Sequence, residues 1–164
     1  MPDERPEPDQ RLAPAARTIW TLELAGGGVV AFVVTLFLSR ILRDHHEDGA
    51  LHTLASLAPW IVLVGAILVA ATVPTLRLRR WRWRLDDDEL DLRRGIVTEI
   101  RTIVPIARIQ HVDVRRSFWS QLFGVADVVV HTAAGTTEIP TLPEHDAASV
   151  RDRLAGLIRT PDDE

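Results

Sequence analysis

The chain has no cysteine in its 164 residues, which removes disulfides, thiolate metal sites and cysteine nucleophiles from consideration at once. Lysine is absent too, so every positive side chain other than histidine is an arginine. No strong basic excess exists. The formal net charge is −4, too close to neutral for bulk attraction to nucleic acid, and no nucleic-acid partner is expected. Also missing are a glycine-rich phosphate loop, a nucleophile motif and a paired-acid signature, so the sequence gives no reason to expect an enzyme, a resident metal or another cofactor. What the chain has in quantity is apolar surface. Its composition is 46% hydrophobic, in a length that suits one domain plus a short extra element.

That apolar material is concentrated in two runs. Residues 18–38, TIWTLELAGGGVVAFVVTLFL, carry Glu23 as their single charge, and residues 54–76 carry none. At ~1.5 Å per residue these helices reach about 31 and 34 Å, the thickness of a bilayer core. A cleaved signal peptide fits the first run poorly: the apolar stretch is too long, and LFLSR offers no small-x-small cleavage site. The expectation is a transmembrane hairpin over 18–76 with an outer loop at 39–53. Ahead of it lies a proline-rich, charged tail at 1–17, read as disordered.

Immediately after the second run comes RLRRWRWR, in which five arginines and two tryptophans occupy residues 77–84. Arg5, Arg11 and Arg17 precede the first run, whereas the loop between the runs has only Arg40 and Arg43, offset by acids. The positive-inside rule then places both termini in the cytoplasm of a cell membrane. Trp20, Arg77, Arg79, Arg80, Trp81, Arg82, Trp83 and Arg84 are the candidate membrane-interface residues, with the indoles at headgroup level and the arginines on anionic lipid. Asp86, Asp87, Asp88 and Glu89 follow directly and read as a solvated hairpin tip.

Beyond Trp81 the apolar period changes to two. ELDLRRG, IVTEIRTIV, HVDVR, VADVVVHT and TTEIP read as short strands, separated by turn signals at 86–88, Arg94–Gly95, Pro105, Gly124 and Ala134–Gly135. In IVTEIRTIV, Ile96, Ile100 and Val104 are expected on one face. Tight turns between strands predict antiparallel pairing. A final helix is predicted with Thr141 and Glu144 at capping-box spacing and Pro143 in the first turn; Ala147, Val150, Leu154, Leu157 and Ile158 form its apolar face. The soluble part thus spans 77–160, followed by a tail at 161–164. The fold class is α+β.

Four segments carry a resemblance: WRLDDDELDLRRG (83–95), VPIARIQHVDVRRS (104–117), LFGVADVVVHTAAG (122–135) and the terminal helix. With the hairpin ahead of them, they resemble the YdbS-like family of bacterial pleckstrin-homology (PH)-like membrane proteins. Pro105, Arg108, Gln110, Ser117, Phe123, Gly124 and Gly135 match that family's pattern, while Gln121 stands where a basic residue is common. The resemblance implies a PH-like antiparallel β-barrel or bent sheet capped by the C-terminal helix, and no enzymatic activity. It also implies a hetero-partner: a longer membrane protein carrying repeated copies of the domain. The expected function is a non-catalytic, membrane-held interaction or assembly module, the alternative being a sensor of anionic lipid or envelope stress.

The remaining candidates each admit two readings. Phe118, Trp119 and Gln121 either pack under the sheet or form an exposed partner-binding tip. Glu23, Gly26, Gly27 and Gly28 are candidates for intramembrane packing, between the two spans or against a partner helix. His45, His46 and His52 sit in the loop with Asp44, Glu47 and Asp48 but without diagnostic metal spacing, and a solvated connector is expected. His111 and Asp113 share a strand face, as a base and its orienting acid would, yet no catalytic companion motif accompanies them. Three acids at the first hairpin argue against phosphoinositide binding there.

Overall fold

The computed structural model describes residues 7–45 and 49–159 in two units, one of residues 17–75 and one joining the N-terminal segment to residues 76 onward. His46, Glu47 and Asp48 of the expected outer loop lie outside the described residues.

The first unit is built from most of α1 (Ala15–His45) and of α2 (Ala50–Arg80), whose last residues, from Leu76 on, belong to the second unit. Both helices run past the expected spans, so the connection is much shorter than 39–53. Val33, Phe37, Ile61 and Ile67 are each more than half exposed, an outward apolar surface that only a bilayer covers without cost. Hydroxyls are satisfied within the helices: Thr21, Thr35 and Thr72 donate to the carbonyls of Arg17, Ala31 and Leu68, each at 2.7 Å. The two helices meet where Gly28 faces Ala66. A Cβ added at Gly28 would lie 2.7 Å from that of Ala66, whereas Gly26 and Gly27 have nothing within 4 Å. Phe32 and Trp60 continue the contact, ring centroids 6.0 Å apart.

The second unit contains two three-stranded antiparallel sheets. β1 (Arg82–Leu85), β2 (Glu89–Arg94) and β3 (Ile100–Pro105) form one; β4 (Ile109–Arg115), β5 (Val125–Thr132) and β6 (Gly135–Pro143) form the other. A 3-10 turn at Ile106–Arg108 joins them, and α4 (Glu144–Arg159) packs on the second. The sheets remain separate, a bent arrangement and not a closed barrel. Period-two residues fill the core as expected: Leu90, Leu92, Val128, Val130 and Ile139 are buried, with Ala147, Val150 and Leu154 of α4.

Several local expectations are corrected. The third strand starts at Ile100, not Ile96. Gly95 (φ 122°) turns the chain so closely that a Cβ there would strike the Thr98 carbonyl at 1.9 Å, leaving Val97 95% exposed in the turn. The capping box does not form. Thr141 lies within β6 at φ 51°, and α4 begins at Glu144, whose carboxylate meets Arg116 at 2.6 Å. The cause is a bulge: Ala126 pairs with Leu142 but Val128 pairs with Ile139, so Pro140 and Thr141 oppose Asp127 alone. Asp127 Oδ1 accepts the Thr141 N–H at 2.8 Å and satisfies the group that the bulge would otherwise orphan. The segment before α1, read from composition as structureless tail, is tied down: Gln10 and Trp83 exchange both backbone hydrogen bonds at 3.0 Å, and Leu12 and Ala13 are buried.

Candidate functional site

The register of the first sheet makes an unusual row. Arg82 pairs with Arg93 across β1 and β2, and Arg93 pairs with Arg101 across β2 and β3, which sets three cations side by side on one face. Like charges directly opposite each other destabilise a sheet unless something answers them. Two are answered. Arg101 makes a two-pronged bond to Asp91, at 2.7 Å from Nη2 and 3.0 Å from Nε, and Arg93 binds Glu99 at 2.8 Å. Among the described residues no carboxylate pairs with Arg82; its Nη1 donates to the Trp81 carbonyl at 2.7 Å.

Arg79, Arg80, Arg82, Arg93, Gly95 and Glu99 line an open basin of about 280 Å³. Arg79 and Arg80 belong to the last turn of α2, so the basin begins at the residues where the apolar helix ends. Arg80 Nη1 is fixed by the Ile96 carbonyl at 2.7 Å. Burial holds the Arg82 guanidinium below the ordinary arginine value, and the charges of Arg11 and Arg93 push the same way. Arg93 is raised by its hydrogen bond to Glu99, and that bond holds the Glu99 carboxyl below the usual glutamate range. Among the described residues the basin sets Arg79, Arg80, Arg82 and Arg93 against Glu99, with Glu7 3.6 Å from Arg93, an excess of cation that is the electrostatics of an anion site.

Of the eight interface candidates, the structure brings Arg79, Arg80 and Arg82 together. Arg77 is in the same final turn of α2, and Arg84 leaves the group to pair with Asp86 at 3.0 Å. Trp20, Trp81 and Trp83 are 8%, 2% and 5% exposed, and Trp83 alternates inward along β1 with Leu85. Sequence reasoning missed Arg93, Gly95 and Glu99, since only the strand register reveals that 93 faces 82. The acidic tip is held by arginines as well, with Arg153 of α4 bonding Asp87 at 2.8 Å.

The Phe118–Trp119 pair lies on α3 (Phe118–Leu122), a short helix capped by Ser117, whose Oγ accepts the Ser120 N–H. Phe118 is 73% and Leu122 67% exposed, and Gln121 and Phe123 are exposed as well. Trp119 is half-buried, with its ring edge-on to that of Phe118 at 5.3 Å. Glu23 is exposed on α1. On the second sheet, His111 lies opposite His131, with Asp113 two residues further along β4.

A sequence profile described as "Bacterial PH domain" matches residues 24–158. The chain is 26% identical over 160 residues to the UPF0699 transmembrane protein YdbS of Bacillus subtilis (strain 168), covering 98% of this chain and 99% of that one. No solved structure matches it. A bent two-sheet domain with a C-terminal helix, two long apolar helices ahead of it and a match over most of the length lead to one assignment: the chain is a membrane protein belonging to the bacterial PH domain family, of the YdbS-like kind.

Proposed function

We propose that this protein is a non-catalytic binding module, held in the cell membrane with its termini and PH-like domain cytoplasmic, whose arginine basin takes the phosphate of an anionic lipid headgroup. The row Arg82–Arg93–Arg101 carries the reading. A sheet that sets three arginines side by side, answers two with carboxylates and, among the described residues, leaves Arg82 to a carbonyl is preorganised for an oxyanion. The basin's position supports a lipid source, because Arg79 and Arg80 end the helix that leaves the bilayer.

The test uses the purified full chain in detergent, titrated with a soluble short-chain phosphatidylglycerol and with the matching phosphatidylcholine. Phosphatidylglycerol should bind preferentially and weaken with salt. Arg82→Ala should weaken it about fivefold, the worth of roughly 1 kcal/mol per arginine. Equal binding of the two lipids, or an unchanged Arg82→Ala, would refute the assignment.

A second reading rests on α3, where Phe118 and Leu122 present an apolar tip to solvent. Such anchors suit a companion membrane protein, and a polar surrounding residue such as Gln121 would rim the contact. Cross-linking in intact cells from residue 118 tests it: a reproducible heterologous partner supports this reading, and self-links alone count against it.

A further inference from the structure

We infer that the outer face of the second sheet holds a zinc-class divalent cation between His111, Asp113 and His131. These three residues offer one ligand atom each, all within 4.8 Å of one another. The topology builds the cluster: β4 and β5 pair His111 directly with His131, and Asp113 follows two residues on, so all three side chains rise from one face. His131 Nε2 is 3.2 Å and His111 Nε2 3.9 Å from Asp113 Oδ2. The imidazoles stack with centroids 4.1 Å apart and planes 14° from parallel.

Two imidazole nitrogens and one carboxylate oxygen form the ligand set of open zinc sites, in which a water takes the fourth position. Metal–ligand bonds of about 2.0–2.2 Å in a tetrahedron place ligand atoms roughly 3.3 Å apart. The separations here need small side-chain rotations, and the cluster is exposed enough to permit them: His111 and Asp113 are 59% and 63% exposed, His131 30%. Thr136 on β6 lies across from His131, its Oγ1 3.4 Å from Nδ1, where it can accept that ring's N–H and direct the Nε2 lone pair toward Asp113. Arg115, two residues further along β4, is engaged by Glu138 at 2.9 Å, and no arginine pairs with Asp113 among the described residues. This site lies on a different sheet from the arginine basin and does not depend on it.

The experiment titrates Co²⁺, then competing Zn²⁺, into the full chain purified in detergent through an affinity tag without histidine, following the visible d–d absorption. One equivalent should bind with bands of low-coordinate nitrogen and oxygen ligation, and zinc should displace it. His131→Ala and Asp113→Asn should each weaken binding by about tenfold or more. A control variant, His52→Ala, removes a histidine from the first turn of α2, outside the second sheet, and should bind as the native chain does. Thermal melts without metal establish that each variant folds. Binding that survives in His131→Ala and Asp113→Asn, or that is lost only in His52→Ala, overturns the site; so does failure of the native chain to bind.

Discussion

Replacing Arg101 with methionine is the most demanding test of the first sheet. The Asp91 side chain is 5% exposed and receives its guanidinium partner at 2.7 and 3.0 Å. Methionine keeps most of the aliphatic stem and removes the charge, leaving a carboxylate with little access to water. Breaking a fully buried pair this way costs about 3–5 kcal/mol. Arg101 is itself 30% exposed, so solvent already screens part of the attraction, and relief of its repulsion with Arg93 returns a fraction of the loss. The net expectation is about 2 kcal/mol, or roughly 8–16 °C in melting temperature for a domain of this size. Near-UV circular dichroism of the full chain in detergent at neutral pH reads it, since Trp81 and Trp83 are buried within the domain. Asp91→Asn added to Arg101→Met should recover much of the drop, because no charge is then stranded. A loss under about 2 °C for Arg101→Met alone, or no recovery in the double variant, would show that Asp91 does not depend on Arg101, and the balance of charges along the row would need redrawing.

Asp127→Ala should destabilise the domain by about 1–3 kcal/mol by orphaning the buried Thr141 N–H, and Asp127→Asn, which keeps an acceptor, should restore most of it in the same melt. Gly28→Leu should loosen the helix pair by about 1–3 kcal/mol through its collision with Ala66, while Gly26→Leu, with open space around it, leaves the melt unchanged. Glu99→Gln should tighten phosphatidylglycerol binding about three- to fivefold by removing the acid that lines the basin, as the same titration would show. The Arg93–Glu99 pair has a defined pH window. The folded Glu99 pKa lies below the unfolded one, so the contribution of the pair is complete above the unfolded value and is lost as pH falls through the folded one. Binding measured between pH 6 and 8 should therefore be flat as far as this pair is concerned.

The sequence was most legible where a pattern is short-range. Leu90 and Leu92, or Val128 and Val130, alternate and are buried, and the apolar lengths of the two helices announce themselves. Ile96 and Val97 misled because β-branched residues look like strand on either side of a glycine turn; the φ of Gly95, not the propensity of its neighbours, sets where β3 starts. Thr141 and Glu144 had capping-box spacing, but a bulge fixed the backbone of Thr141 first. The candidate sites were the least legible of all. Arg82 and Arg93 are eleven positions apart, His111 and His131 twenty, and only strand register makes either pair neighbours. The tryptophans of RLRRWRWR were read from composition alone, and the alternation along β1 that buries Trp83 beside Leu85 becomes visible only once the strand is placed.

The exchange of hydrogen bonds between Gln10 and Trp83 has a consequence for biogenesis. Both spans lie between these residues in sequence, so the bridge closes only if the chain crosses the bilayer an even number of times and returns its two ends to one compartment. The N-terminal segment leaves the ribosome first but has nothing to pair with until β1 follows it, after the whole hairpin has been made. Insertion and folding are thereby coupled: a hairpin that went in with one crossing would leave the outer edge of β1 uncovered, an exposed strand edge of the kind that recruits other chains. The pairing works as a check on topology, completed only in molecules whose two ends lie in one compartment.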